Sequence, residues 1–310
     1  MSHNAEPVSA FLPGHFLPGH CPAARLAGMS TTCPAPTLEE LEAWHLALAQ
    51  AFIHVDEASF LEHLATALCT LTPIESMMIS LERQGLAPHL LYQQGIPRAY
   101  QDEIIHRYFS RGYLLDPFCL AVDKGLAEGF YHLAQIAPDD FFNSEYYKTY
   151  YLRSGGAQES YYIVDLCPQS KISLCMFQGL SAGQFTEEQL ALQKSTQAMV
   201  RELLRRFGTT GGLAKVICDE AFTQTQAHQQ IEAAFMGFGS GVLTVREREI
   251  AHLILRGHSV KSTAQVLGIS PETVRMHRKN LYTKLAINSQ AELFALFIEW
   301  LTRSGAMARS

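Results

Sequence analysis

Leu243-Thr-Val-Arg-Glu-Arg-Glu-Ile250, Gly257-His-Ser-Val-Lys-Ser-Thr-Ala-Gln-Val-Leu-Gly268 and Ile269-Ser-Pro-Glu-Thr-Val-Arg-Met-His277 decide the C-terminal fold. Thr244 and Glu247 have the spacing of a capping box, in which hydroxyl and carboxylate satisfy the orphan N–H groups of a first helical turn. Ile250, Leu253 and Ile254 then recur at helical period, and Gly257 stops the helix. A second short helix buries Ala264 and Leu267 and ends in the turn at Gly268. Ser270 is an N-cap, and Pro271 sits at the first helical position, where its missing N–H costs nothing. Two helices joined by a tight turn present the start of the second to a DNA major groove.

In the helix after Pro271, Val274, Leu281 and Leu285 share the inward face. Arg275, Met276, Arg278 and Lys279 fall mainly on the other, within the turns that meet base edges; arginine can fork onto guanine. Lys261, Thr273 and Lys284 flank that face as contacts to the phosphate backbone, which position without specifying. Residues 242–310 hold ten lysines and arginines against five carboxylates, a net of +5, whereas the whole chain is −6. A basic end on an acidic body suits a partner made of phosphates.

Over about sixty residues this region resembles the LuxR-type (NarL/FixJ-type) helix-turn-helix of bacterial transcription regulators. The matching residues are Leu-Thr-x-Arg-Glu-x-Glu-Ile (243–250), Gly-x-Ser (257–259), Lys261, Ala264, Leu267, Ile-Ser-x-x-Thr-Val-Arg-x-His-x-x-Asn-Leu (269–281), Lys-Leu (284–285) and Ala-Glu-Leu (291–293). The resemblance implies that Arg275, Met276 and Lys279 face the groove and that a fourth helix, Ser289–Trp300 with its Leu293, Leu296, Phe297 and Trp300 stripe, supports dimers. Val-Lys-Ser-Thr-Ala (260–264) departs from the usual Asn-Lys-Glu-Ile-Ala, and Ser289 stands where arginine is common. Both changes weaken expected phosphate contacts and leave the fold intact.

The rest of the chain reads in three parts. Residues 1–36 carry the tandem repeat Phe11-Leu-Pro-Gly-His15 and Phe16-Leu-Pro-Gly-His20 with further prolines, the composition of a disordered arm. His15, His20 and Cys21 are the one metal-ligating grouping, set against the commoner case of an arm that binds nothing. Met29 is an alternative start. Residues 37–207 form a sensor, ligand-binding and dimerisation domain, and 208–241 a linker with a weak helix ending in the flexible joint Gly237-Phe-Gly-Ser-Gly241. Seven cysteines without metal spacing fit reduced thiols in a cytoplasmic protein, and no apolar run approaches a membrane span.

Within 37–207, Leu38–Ile53 (stripe Leu41, Trp44, Leu48, Phe52) and 58–71 read as helices, 77–81 with 89–92 as a hairpin, and 98–109 as a helix. A further helix opens with a cap at Asn143 and runs through an aromatic run to Leu152. Gln158–Cys167 and 171–177 form a second hairpin, and one helix runs from a cap at Thr186 to Phe207. The fold class is therefore α+β: an antiparallel sheet covered by helices, a sandwich-like sensor, followed by a four-helix DNA-binding domain. If Pro168–Ser170 turn the second hairpin, Tyr162, Val164, Leu166, Ile172, Leu174 and Met176 form an apolar face. Tyr161, Ile163, Asp165, Ser173, Cys175 and Phe177 form a mixed one, suited either to a small-molecule pocket or to a second core with Asp165 at a wet edge.

Asp116-Pro117 after Tyr113 and Tyr108 resembles in part the Asp-Pro element of acyl-homoserine-lactone sensors, but the tryptophan those sensors place before it is absent. Leu114-Leu-Asp-Pro-Phe-Cys and the run 137–151 look more like LuxR-type regulators with a divergent GAF/PAS-like sensor. Asp116 is alternatively a helix cap. Asp116, Tyr150, Tyr161, Asp165 and Ser173 are the candidate ligand contacts, and with Glu145 and Glu159 near them in the pattern they suit an amine or another hydrogen-bonding ligand. These readings converge on a one-component transcription regulator, a homodimer on operator DNA with RNA polymerase as a further partner, controlled by a small-molecule effector. Control by a protein partner and lactone reception are the alternatives. No phosphate loop, Gly-x-Ser-x-Gly or metal-spaced histidine pair points to an enzyme or cofactor, and no βα repeat points to a phosphorylated receiver.

Overall fold

The computed structural model describes residues 36–307 apart from 97, 102–104, 106, 111, 153–157, 180–182 and 218–231. The repeat, the His15/His20/Cys21 grouping and Met29 lie outside the described residues. Helices α1 (Leu38–Ile53) and α2 (Phe60–Leu71) precede strands β1 (Ser76–Arg83) and β2 (His89–Gln94). Helix α3 (Pro117–Asp123), strand β3 (Gly129–His132), and strands β4 (Gln158–Cys167) and β5 (Ser170–Gln178) follow. Helices α4 (Glu187–Ser195), α5 (Gln197–Thr209), α6 (Val245–Leu255), α7 (Val260–Leu267), α8 (Pro271–Leu285) and α9 (Gln290–Met307) complete the order.

The five strands form one antiparallel sheet in the order β2-β1-β5-β4-β3. Alternation along β4 and β5 divides it into the two expected faces. Tyr162, Val164, Ile172, Leu174 and Met176 join Phe60, Leu64 and Leu203 in an apolar core beneath α2 and α5. The opposite face, with Tyr161, Ile163 and Cys175, belongs to a second cluster. This continues through Phe118 and Phe141 into Ile250, Leu281 and Phe297 of the C-terminal helices. The chain is thus an α+β sheet-and-helix part followed by a helical helix-turn-helix region.

Several local expectations are corrected. The helix expected from Thr186 to Phe207 is two helices that break at Thr196. Buried Gln193 spends its side chain on Ser160 and Thr72, and its carbonyl takes the hydroxyls of Tyr162 (2.7 Å) and Thr196 (2.8 Å). These tertiary bonds compete with the helical ladder. The cap before the tyrosine run is Ser144, whose Oγ accepts from the Tyr147 amide at 3.1 Å, while Asn143 donates to Asp140. The run itself is π-helical over Tyr147–Tyr151. The helix expected over 98–109 agrees with its described residues, which are α-helical at Arg98–Gln101 and Tyr108–Ser110 and π-helical at Ile105 and Arg107. On α1 only Ala51 is buried; Phe52, read as part of an inward stripe, is exposed. Residues 237–241 are no loose joint: Phe238 is buried against Phe297, and the Trp300 indole donates to the Ala234 carbonyl at 2.7 Å. The last helix runs on to Met307, past the expected end at Trp300.

Candidate functional sites

The helix-turn-helix is built by its caps. Thr244 and Glu247 close a capping box on α6, Ser259 caps α7 through the Ser262 amide, and Ser270 caps α8 through Thr273. Gly268 turns the chain with φ +62°. Val274 and Leu281 face inward, and Arg275, Met276 and Lys279 are exposed on one side of α8, as a groove-reading face requires. Arg275 pairs with Glu272 at 2.9 Å on the open surface, an interaction that a phosphate or base edge would readily displace. Arg278 lies over the Tyr282 ring at 5.3 Å, and Lys261 is exposed. Two expected backbone contacts have internal duties. Thr273 completes the α8 cap, its hydroxyl 3.0 Å from that of Ser270. Lys284 reaches buried Glu247 at 2.7 Å, tying α8 to α6. That bond heads the influences holding the Glu247 carboxyl below its usual value, ahead of opposing burial.

The second site is a cavity of about 570 Å³ on the mixed face of the sheet, within the range of small-molecule pockets. Its floor is set by register. Ser80 of β1 pairs with Ser173 of β5, so their hydroxyls meet at 2.8 Å and both bond Glu82 Oε1, at 2.6 and 2.9 Å. Tyr161 lines the wall, stacked on Phe118 at 4.5 Å and donating to Glu159. Asp116 is the helix cap that one reading of its sequence expected, and it also stands in the cavity wall. Its Oδ1 caps α3 through the Phe118 amide at 2.8 Å and also takes the Tyr151 hydroxyl at 3.0 Å. Its Oδ2 takes the Tyr108 hydroxyl at 2.5 Å while the residue lines the cavity. Ala291, Phe294, Ala295 and Ile298 of α9 close one side, so the last helix of the DNA-binding region is a wall of the pocket.

Of the candidate ligand contacts, Asp116, Tyr161 and Ser173 come together here. The Tyr150 side chain lies outside the described residues. Asp165 is absent from the wall: at the β4 end, where the register shifts, it pairs with Lys171. Glu82 was missed, although Met78, Ser80 and Glu82 alternate along β1 and so share the cavity face. Burial pushes the Glu82 carboxyl up to about 7 against the pull of Ser80 and Ser173. Burial also raises Asp116, opposed by its bonds from Tyr108, Phe118 and Tyr151. Burial, and then the charge of Asp116, lift Glu159 well above the carboxylate range.

The family of bacterial regulatory proteins of the luxR type (GerE) matches residues 241–297. The HTH-type transcriptional regulator of the exeN 3'region of Aeromonas salmonicida is 31% identical over 188 residues, 60% of this chain and 94% of that protein. The transcriptional regulatory protein UhpA of Escherichia coli is 47% identical over 51 residues, 16% of this chain and 26% of its own. Among solved structures, the VqsR LBD domain from Pseudomonas aeruginosa aligns with TM-score 0.48 and 27% identity, over 54% of this chain and 98% of that one. With a relative similar along nearly its whole length and the DNA-binding motif matched without interruption, the chain belongs to the LuxR family of bacterial transcription regulators.

Proposed function

We propose that this regulator is a one-component sensor whose effector, a small molecule, occupies the cavity between the sheet and α9. The observation that carries the reading is the cavity's composition: sensor residues form the floor, and the last helix of the DNA-binding region forms one side. An effector there touches both parts, so its binding energy depends on how they are docked, which is the condition for shifting a population between arrangements. Residues 37–207 act as sensor and dimerisation unit, 208–241 as connector and 242–310 as DNA-binding unit, in a cytoplasmic homodimer that recruits or obstructs RNA polymerase at an operator. Arg275, Met276, Arg278 and Lys279 read the groove, and Lys261 holds the phosphate backbone. Exposed Leu46 and Phe52 on α1 and Met199 on α5 support self-association through the helical side of the sensor.

A thermal-shift screen of the full chain with homoserine lactones, amines, amino acids and aromatic acids tests the proposal. Saturable stabilisation by one class, abolished by filling the cavity through Ala295→Trp, is the expected result. Stabilisation that survives Ala295→Trp would place the ligand elsewhere, and a flat response to every class would favour control by a protein partner.

A further inference from the structure

We infer that the effector is a compact cationic amine, its ammonium held by Glu82 at the floor of the cavity and its body against the surrounding tyrosines. The inference rests on the cavity being the effector site and adds the ligand's charge and anchor.

Glu82, Asp116 and Glu159 each line the cavity and are each nine-tenths or more buried. Asp116 has three donors on its two oxygens. Glu82 differs: both of its hydrogen bonds end on Oε1, and among the described residues nothing donates to Oε2. Oε2 is open to the cavity and not sealed behind it, so it offers a ligand an acceptor that Oε1 cannot. Among the described residues no side chain takes that place. Lys171 stands opposite Glu82 in the β1–β5 register, but its ammonium is committed to Asp165. The one basic side chain among the described lining residues, Arg107, is exposed. Against it stand the carboxyls of Glu82, Asp116 and Glu159, while Glu145 pairs with Lys148 and Glu299 with Arg303. An anion would meet these carboxyls with only exposed Arg107 to offset them, and a neutral ligand would leave Glu82, raised to about 7, with no charge partner. A cation relieves both problems, and ring faces such as those of Tyr146 and Tyr161 attract an ammonium within about 6 Å. The volume leaves room for an alkyl or aromatic body beside the apolar α9 wall.

The test compares matched shapes on the full chain by thermal shift and calorimetry: phenethylamine, tyramine and putrescine beside 2-phenylethanol, 4-(2-hydroxyethyl)phenol and 1,4-butanediol. Amines are expected to bind saturably and their alcohol counterparts not. Glu82→Gln should weaken the amine by about ten- to a hundred-fold, while the glutamine carbonyl still accepts from Ser80 and Ser173. Affinity should also fall as pH drops from 8 to 5.5. Asp116 and Asp123 press on Glu82 from α3, and Glu159 from β4 and Glu145 face the same space, so Glu159→Gln with Glu82 intact serves as the second variant and should weaken binding less. Equal binding by alcohols, or amine binding unchanged in Glu82→Gln, overturns the amine while leaving the cavity as the effector site. Failure of all six compounds overturns the amine as well, and stabilisation by another class in the broader screen would then sustain the cavity alone.

Discussion

Asp139, between β3 and β4, grips Ser259, the residue that caps α7 of the helix-turn-helix: one carboxylate oxygen accepts the Ser259 amide at 3.0 Å and the other its hydroxyl at 2.5 Å. Burial acts to raise this carboxyl, but the Ser259 bonds, the Ser262 hydroxyl and His258 outweigh it and hold Asp139 below its usual value. One residue on, the Asp140 amide donates to the Gly257 carbonyl at 3.1 Å. Backbone from the sheet-bearing part of the chain therefore completes the turn between α6 and α7. Asp139→Ala removes two charge-assisted bonds at an exposed junction, a loss of about 1 kcal/mol. Hydrogen exchange of amides 258–263 should accelerate by about five-fold, with α8 unchanged. Equal exchange in both proteins would mean that the junction is not held by this pair.

Gly257 marks the same junction sterically. Its φ is +83°, and a Cβ there would lie 2.6 Å from the Phe141 Cα. Gly268 also has positive φ, at +62°, but a Cβ added to it meets nothing within 4 Å. Gly268→Ala should cost only the backbone penalty, about 1 kcal/mol, whereas Gly257→Ala pays that penalty and also pushes the two halves apart. Calorimetry should show a uniformly lowered transition for the first variant and a separated, second transition for the second. A single transition in both would indicate that the contact with Phe141 does not couple the halves.

The helix-turn-helix was legible because each of its signals is local. Thr244 and Glu247, Ser259 and Ser262, and Ser270 and Thr273 each settle a helix start within four residues, without help from the rest of the chain. Period-two alternation likewise assigned Tyr161 and Ser173 to one sheet face and Tyr162 and Leu174 to the other. What escaped is tertiary. Glu82 and Ser173 lie 91 residues apart and meet only through the β1–β5 register. Asp165 keeps the β4–β5 register but lies at the hairpin end, beyond the cavity, where Lys171 captures it. The break at Thr196 depends on Tyr162, whose hydroxyl occupies the Gln193 carbonyl and which no window around that helix contains.

The buried Glu82 makes stability depend on pH. Its folded carboxyl titrates near 7, against 4.5 for an ordinary glutamate. A carboxyl raised on folding stabilises the fold fully below the unfolded value, and that contribution disappears as pH rises through the folded value. The span corresponds to about 3 kcal/mol. Without ligand, the protein should lose stability between pH 4.5 and 7, and Glu82→Gln should flatten that part of the profile. Urea titrations at half-unit steps measure it. Parallel profiles for the two proteins would remove Glu82 as the source.

Two lysines on α8 should fail in different ways. Lys279 is exposed on the proposed groove face, whereas Lys284 is bonded to buried Glu247. Lys279→Ala should weaken operator binding by about ten-fold or more, a loss of about 1–3 kcal/mol, with the melting temperature unchanged. Lys284→Ala leaves the Glu247 carboxylate without its cation, and the lysine is itself 39% exposed, so the expected cost is a screened 1–2 kcal/mol, roughly. Its signature is a lower melting temperature, with DNA affinity largely kept below the transition. Melting curves and operator titrations on both variants separate the roles. A Lys284→Ala protein that melts normally yet loses DNA would return that residue to the phosphate backbone.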